Sequence, residues 1–151
     1  KMNFDENYRS FLNDFGKGRK AVLSTAENNI VSSRMMSVVQ IDGMFYFQTD
    51  ITFRKYRQLT QNHNVALCID NIQIEGEAEE IGHPLKDPDF CKAFGECFKG
   101  SFDAYTSLEN ERLFAVRPTY IQRWIYKNSS PYIESFDFKT QTYKFEQYIG
   151  I

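Results

Sequence analysis

The stretch Val38-Val-Gln-Ile41, Asp42-Gly43, Met44-Phe-Tyr-Phe47 decides the fold. An Asp-Gly pair between β-branched and aromatic residues is the strongest short-range hairpin signal, because both turn residues need positive φ. Upstream, Ile30–Ile41 is long enough for one continuous strand. It follows the turn-like Glu27-Asn-Asn29 and a strand over Lys20–Ala26. The pattern before that is different. Tyr8, Phe11, Leu12 and Phe15 recur at the i, i+3, i+4, i+7 spacing of an amphipathic helix over Asn3–Gly16, with Gly16 and Gly18 as its stop.

Downstream of the hairpin, Thr52–Gln61 reads as a helix, with Phe53, Tyr56 and Thr60 on one side and Arg54, Lys55 and Arg57 around it. Val65–Asp70 reads as a buried strand. Ile72–Gly82 alternates Ile72, Ile74, Gly76 and Ala78 against Gln73, Glu75, Glu77 and Glu79, the pattern of an antiparallel strand with one wet face. Pro88–Lys99 reads as helix, with a turn or short helix over Ser101–Leu108. Leu113–Val116, Tyr120–Tyr126, Tyr132–Phe138 and Tyr143–Gln147 read as closing strands. No repeat, linker or low-complexity tract divides the chain. The expectation is a mainly β (α+β) fold, an antiparallel β-barrel with a few flanking helices, forming a single domain over residues 1–151.

At 151 residues, with 42% hydrophobic and 25% charged residues, the chain can bury a core without staples. Collagenous, mucin-like and disordered classes are excluded. A net charge of −2 supplies no global field for polyanions, so no nucleic-acid partner is expected. Cys68, Cys91 and Cys97 lack metal or redox spacing, and His63 and His83 lack partners at ligand spacing, so no metal is expected. The apolar stretches are too short to span a bilayer, and no signal segment opens the sequence; no membrane partner and a cytoplasmic location follow as expectations. The unusual feature is 16% aromatic residues, which fits either a β-rich core or a surface that receives something flat.

Basic residues concentrate between Lys17 and Arg57, acidic ones between Asp70 and Glu111. Arg34 lies in a strand of small and apolar residues, where a guanidinium must face water or hold an anion. Beyond the hairpin, Thr49 offers a hydroxyl, Arg54 a planar donor fork and Lys55 a point charge, next to the exposed N–H groups of a helix start. These are the parts of a phosphate site. By contrast, Gly16-Lys-Gly18-Arg-Lys-Ala21 matches a dinucleotide glycine pattern only superficially, since it follows a helix and enters a strand.

The ordered series Arg34-Met-Met-Ser37, Asp42-Gly43, Phe45-Tyr-Phe-Gln-Thr49, Arg54-Lys55, Leu59, Asn62-His-Asn64-Val-Ala-Leu67 and Glu75-Gly-Glu-Ala78 resembles the pyridoxamine 5′-phosphate oxidase-like proteins, which are FMN-binding split β-barrels. It covers Ala21–Ile81 well and extends more weakly to Trp124. The resemblance implies that Arg34 and Lys55 bind the FMN phosphate, assisted by Arg54 and Thr49. The backbone of Met35, Met36 and Ser37 would lie along the isoalloxazine edge. The family's glutamine five residues before the strand glycine falls here on Asn71, a shorter amide, and Gln73 on the same strand face is the alternative. Phe53 replaces a small hydroxyl residue of the family, and Trp124 corresponds to an aromatic near the flavin. The resemblance also implies a homodimer with flavin at the interface, acting on a small-molecule substrate with NAD(P)H or another electron donor.

Oxidase activity on pyridoxamine phosphate itself is the less favoured member of this class, because Arg112, Arg117, Arg123 and Lys127 do not reproduce the family's substrate pattern. No side chain stands out as a compulsory acid or base. Two alternatives stay open: a non-catalytic flavin, haem or deazaflavin binder of the same fold, and a cofactor-free interaction barrel.

Overall fold

A computed structural model describes residues 3–151. Helix α1 (Phe4–Phe15) starts at Asn3, whose side chain accepts from the Glu6 N–H at 3.0 Å, and stops at Gly16, at φ 85°. Its apolar stripe lays Phe11 and Phe15 into the core. Three antiparallel strands follow: β1 (Gly18–Glu27), β2 (Ile30–Ile41) and β3 (Met44–Asp50). Asn28 and Asn29 in the first turn and Asp42 and Gly43 in the second all take the positive φ that such two-residue turns require. Helix α2 (Arg54–Gln61) leads to β4 (Asn64–Ile69) and β5 (Ile72–Gly82). A helical insert, α3 (Pro88–Cys97) and α4 (Lys99–Ser101) running into a π-helical turn over Phe102–Thr106, precedes β6 (Glu111–Lys127), β7 (Ser130–Asp137) and β8 (Thr142–Gln147).

The strand order is β3-β2-β1-β4-β5-β6-β7-β8, and a further β3–β6 pairing closes the first six strands into a barrel. Strands β7 and β8 extend the sheet beyond β6. The closure is imperfect in one place. Strands β2 and β3 pair only from Val39–Tyr46 to Ile41–Met44; beyond that β3 pairs along β6, from Phe45–Val116 to Asp50–Glu111. Residues 30–38 of β2 thus have a strand neighbour, β1, on one side only.

Two expectations change. The sequence places a break at Pro118, but β6 runs unbroken through it. The reason is a change of partner: β6 pairs with β3 up to Val116 and with β7 from Tyr120, so the missing N–H of Pro118 falls between the two ladders. A register shift against Glu75 and Gly76 absorbs the extra residue. Helix α2 also buries a different face. Gln58 and Leu59 point inward, whereas Phe53 and Thr60 are exposed.

Most of the aromatic surplus is core: Phe11, Phe15, Phe45, Phe47, Phe114 and Phe136 are all buried in one cluster. A smaller cluster of Val39, Phe90, Phe94 and Leu113 seats the insert on the barrel's outer surface. One ion-paired clamp fixes α1. Arg123 bonds Glu134 at 2.5 Å and Asp14 at 3.1 Å, its guanidinium lies 5.2 Å from the Phe11 ring centroid, and the Tyr143 hydroxyl donates to Glu134. No helix among the described residues is long and apolar enough to cross a membrane.

Candidate functional site

The gap between β2 and β3 is a cleft of about 420 Å³, within the roughly 300–1,000 Å³ of ordinary ligand sites. Met35, Met36 and Ser37 form one wall, Gln48, Thr49 and Asp50 the other; Phe53 and Lys55 come from the start of α2. Tyr105 and Leu108 of the insert close it from outside. Because β2 lacks a second strand neighbour here, one edge of its backbone is left facing the cleft. A flat heteroaromatic with donors and acceptors on its rim suits such an edge. Met35 is 60% exposed, an apolar floor without a cover.

Lys55 is joined by two further cations that do not themselves line the cleft: Arg34 stands near enough for its charge to act on Lys55, and Arg54 near enough to act on Arg34. Among the described residues Arg34, Arg54 and Lys55 form no ion pair, whereas Arg57, their neighbour on α2, bonds Glu27 at 3.0 Å. Burial first, then the charge of Arg54, pulls the Arg34 guanidinium below its ordinary value. Lys55 is likewise depressed by burial and then by Arg34, with Glu111 and Asp50 acting the other way. Mutually repelling cations without carboxylate partners are stable where an anion completes them. Lys55 donates to the buried hydroxyl of Thr49 at 3.3 Å, and its ammonium lies 4.7 Å from the Phe53 ring centroid. An aromatic therefore stands where the resemblance implied a small hydroxyl.

Arg34 is held from behind. Nη1 donates to the Leu23 carbonyl and the Thr25 hydroxyl, and Nη2 to Gln58 Oε1 at 2.8 Å, so three of the five guanidinium N–H groups point into the fold. Gln58, 1% exposed, also accepts from Thr25 and donates to Ser32. Arg54 reaches the same Ser32 hydroxyl at 3.3 Å. Gln58 escapes a reading based on apolar spacing. A polar amide beside Leu59 on the buried face of a helix was the available signal. Glu111 and Lys20 also line the cleft and carry no local motif.

The remaining expected residues lie elsewhere in the chain. The Asn71 amide donates to the Trp124 carbonyl at 2.7 Å and ties the β4–β5 turn to β6. Gln73, exposed on the outer face of β5, has no side-chain hydrogen bond among the described residues, and is therefore the available amide. It shares a lateral row with Met35 through Val22 and Cys68. Trp124 packs against Tyr126 and Tyr148. None of these three lines the cleft of its own chain.

Arg112, Arg117 and Arg123 each pair with a carboxylate and offer no second anion clamp. The imidazole of His83 uses both nitrogens, on Leu108 O and Leu85 N, and His63 faces Glu77 at 3.8 Å. Among the described residues no three His, Cys, Asp or Glu side chains converge as a metal site would require.

A family model described as pyridoxamine 5′-phosphate oxidase matches residues 4–125. No curated protein matches the sequence significantly. Among solved structures, a pyridoxamine 5′-phosphate oxidase-related, FMN-binding protein from Nostoc punctiforme is similar at TM-score 0.62 and 14% identity, over 96% of this chain and 93% of that one. PhzG from Burkholderia lata, in complex with tetrahydrophenazine-1-carboxylic acid, gives 0.63 and 15%, over 95% and 89%. HutZ, the haem storage protein from Vibrio cholerae, gives 0.58 and 16%, over 78% and 91%. At these identities the likeness shows the fold.

Proposed function

The chain belongs to the pyridoxamine 5′-phosphate oxidase family, and from that premise we propose that it is a cytoplasmic, homodimeric FMN-binding oxidoreductase acting on a small molecule. One observation carries the reading: Lys55, in the lining of a cleft whose wall is an open strand edge, stands with Arg34 and Arg54 in a group of cations without carboxylate partners. Lys55, Thr49 and the two uncommitted N–H groups of Arg34 would hold the phosphate, with Arg54 completing the charge at the rim. Met35, Met36 and Ser37 would carry the ring system along their backbone. FMN, when bound, supplies the hydride and electron transfer; the chain binds it, orients it and shields it from water.

Dimerisation completes the arrangement. The outer face of β2, β1, β4 and β5 exposes Val31, Met35 and Cys68 beside Val22 and Ala66, an apolar surface suited to a second copy. Residues that stand apart from the cleft in one chain, Gln73 and Trp124, then become available to the flavin of the other.

The similarity to a haem storage protein keeps a second reading in view, but no imidazole lines this cleft, which favours flavin. The test is the visible spectrum of the concentrated protein together with its mass in solution. A flavin spectrum that bleaches on adding NAD(P)H, in a dimer, supports the proposal. A flavin that binds but never bleaches with any electron donor supports a carrier, a deazaflavin or haem spectrum supports those binders, and a colourless protein indifferent to added FMN overturns it.

A further inference from the structure

We infer that Glu111 is a proton-linked, specificity-determining contact in this cleft: its carboxyl takes up one proton when the ligand's phosphate arrives, and then donates a hydrogen bond to it. The inference rests on the flavin reading and deepens it.

Glu111 opens β6, directly across from Asp50 in the β3–β6 ladder, so both carboxylates stand on the outer face of the same strand pair. The insert roofs this spot with Leu108 and Phe94, leaving Glu111 6% exposed. Its main chain is engaged, N–H to Leu108 and carbonyl from Arg112. Its carboxylate forms no hydrogen bond or ion pair among the described residues; its oxygens are not sealed off, and the side chain lines the cleft. A carboxylate on a largely buried residue, with its free oxygens turned to a cleft and no protein donor to accept from, is poised for a ligand.

Three charged or titratable groups face it. From β3 comes Asp50, whose carboxylate accepts from the Thr52 hydroxyl and N–H, both at 2.7 Å, and is thereby held below the usual range and ionised. The segment after β5 contributes His83, tied by its two ring nitrogens to Leu108 and Leu85. From α2 comes Lys55, which bonds Thr49 and forms no ion pair with Glu111; Lys20 of β1 lines the same cleft. Burial and then Asp50 push the Glu111 carboxyl up, with Lys55 and His83 acting the other way.

A phosphate seated on Lys55 and Thr49 brings further negative charge to this spot and draws the ammonium away from Glu111. A like charge brought close disfavours the ionised form of a carboxyl that is already raised by burial and by a neighbouring carboxylate. The neutral way out is transfer of a proton from solvent to the carboxylate, which turns a repelling acceptor into a donor for a phosphate oxygen. The sign follows. Between the free and the ligand-bound pKa of Glu111 affinity falls as pH rises, by up to about tenfold per pH unit for one linked proton. Outside that window it is flat.

The test is the dissociation constant of FMN from mildly acidic to mildly alkaline pH, in the wild-type protein and in Glu111→Gln, by flavin fluorescence quenching. Titration of the FMN phosphate itself is common to both, so the difference between the two profiles is the readout. The amide variant is expected to bind more tightly at alkaline pH and to lose the linked slope. Calorimetry of the wild-type protein at mildly alkaline pH, where the FMN phosphate (second pKa about 6) is already a dianion, in two buffers of different ionisation enthalpy measures the proton uptake by the protein and does not depend on the variant folding. Matched pH profiles, or proton release on binding, overturn the role of Glu111 and leave the flavin reading standing. Absence of FMN binding at every pH removes both.

Discussion

Gln58→Glu is the substitution that best separates the anion site from its scaffold. The amide stands behind Arg34, accepts from Thr25 and Arg34 at 2.8 Å each and donates to Ser32 at 3.1 Å. A carboxylate has the same shape and accepts from all three, because the Ser32 hydroxyl reverses to donate. The barrel should therefore keep its fold and lose at most a few degrees of melting temperature. Charge changes more than shape. The introduced carboxylate would neutralise Arg34 from behind and remove one cation of the three. A hydrogen bond to a charged group is worth about 1.5–3 kcal/mol, so FMN affinity should fall roughly ten- to a hundredfold. Riboflavin, which shares the ring and lacks the phosphate, should bind variant and wild type alike. Parallel fluorescence titrations of the two ligands read the ratio directly. FMN and riboflavin affinities that fall together, or an FMN affinity that does not move, would refute the assignment of Arg34 to phosphate.

Arg123→Leu should destabilise the fold by about 3–5 kcal/mol, because it strands the buried Glu134 carboxylate with only the Tyr143 hydroxyl; that corresponds to roughly 6–20 °C in a thermal melt. Glu134→Gln in the same background should recover part of the loss. Gly76→Ala should cost about 1–3 kcal/mol, since the added methyl would stand 2.7 Å from the Arg117 carbonyl and 2.8 Å from Val116; a chemical denaturation midpoint equal to wild type would contradict this packing.

Where local chemistry decides, the fold was legible. Paired Asn28-Asn29 and Asp42-Gly43 sit at positive φ, and β2 spans Ile30–Ile41 as its composition implied. Closure was not legible, because the register that sets Phe45 against Val116 joins residues far apart in sequence. Pro118 misled for the same reason: its tolerance depends on which strands stop beside it. The site divides similarly. Met35, Met36, Ser37, Thr49 and Lys55 could be named from an ordered motif and line the cleft, whereas Arg34 and Arg54, named from the same motif, do not line it. Gln58 and Glu111 acquire their roles only from burial, the one beneath Arg34 and the other beneath an insert whose position no local pattern encodes.

The central claim is that a phosphate-bearing flavin completes the cations at the mouth of the β2–β3 cleft. Titration of FMN into the purified wild-type protein and into the Arg34→Ala, Lys55→Ala double variant tests it most directly. Saturable binding at one FMN per chain, lost in a double variant that still melts cooperatively, is the expected result. Equal binding by both proteins, or no binding by either, would contradict it.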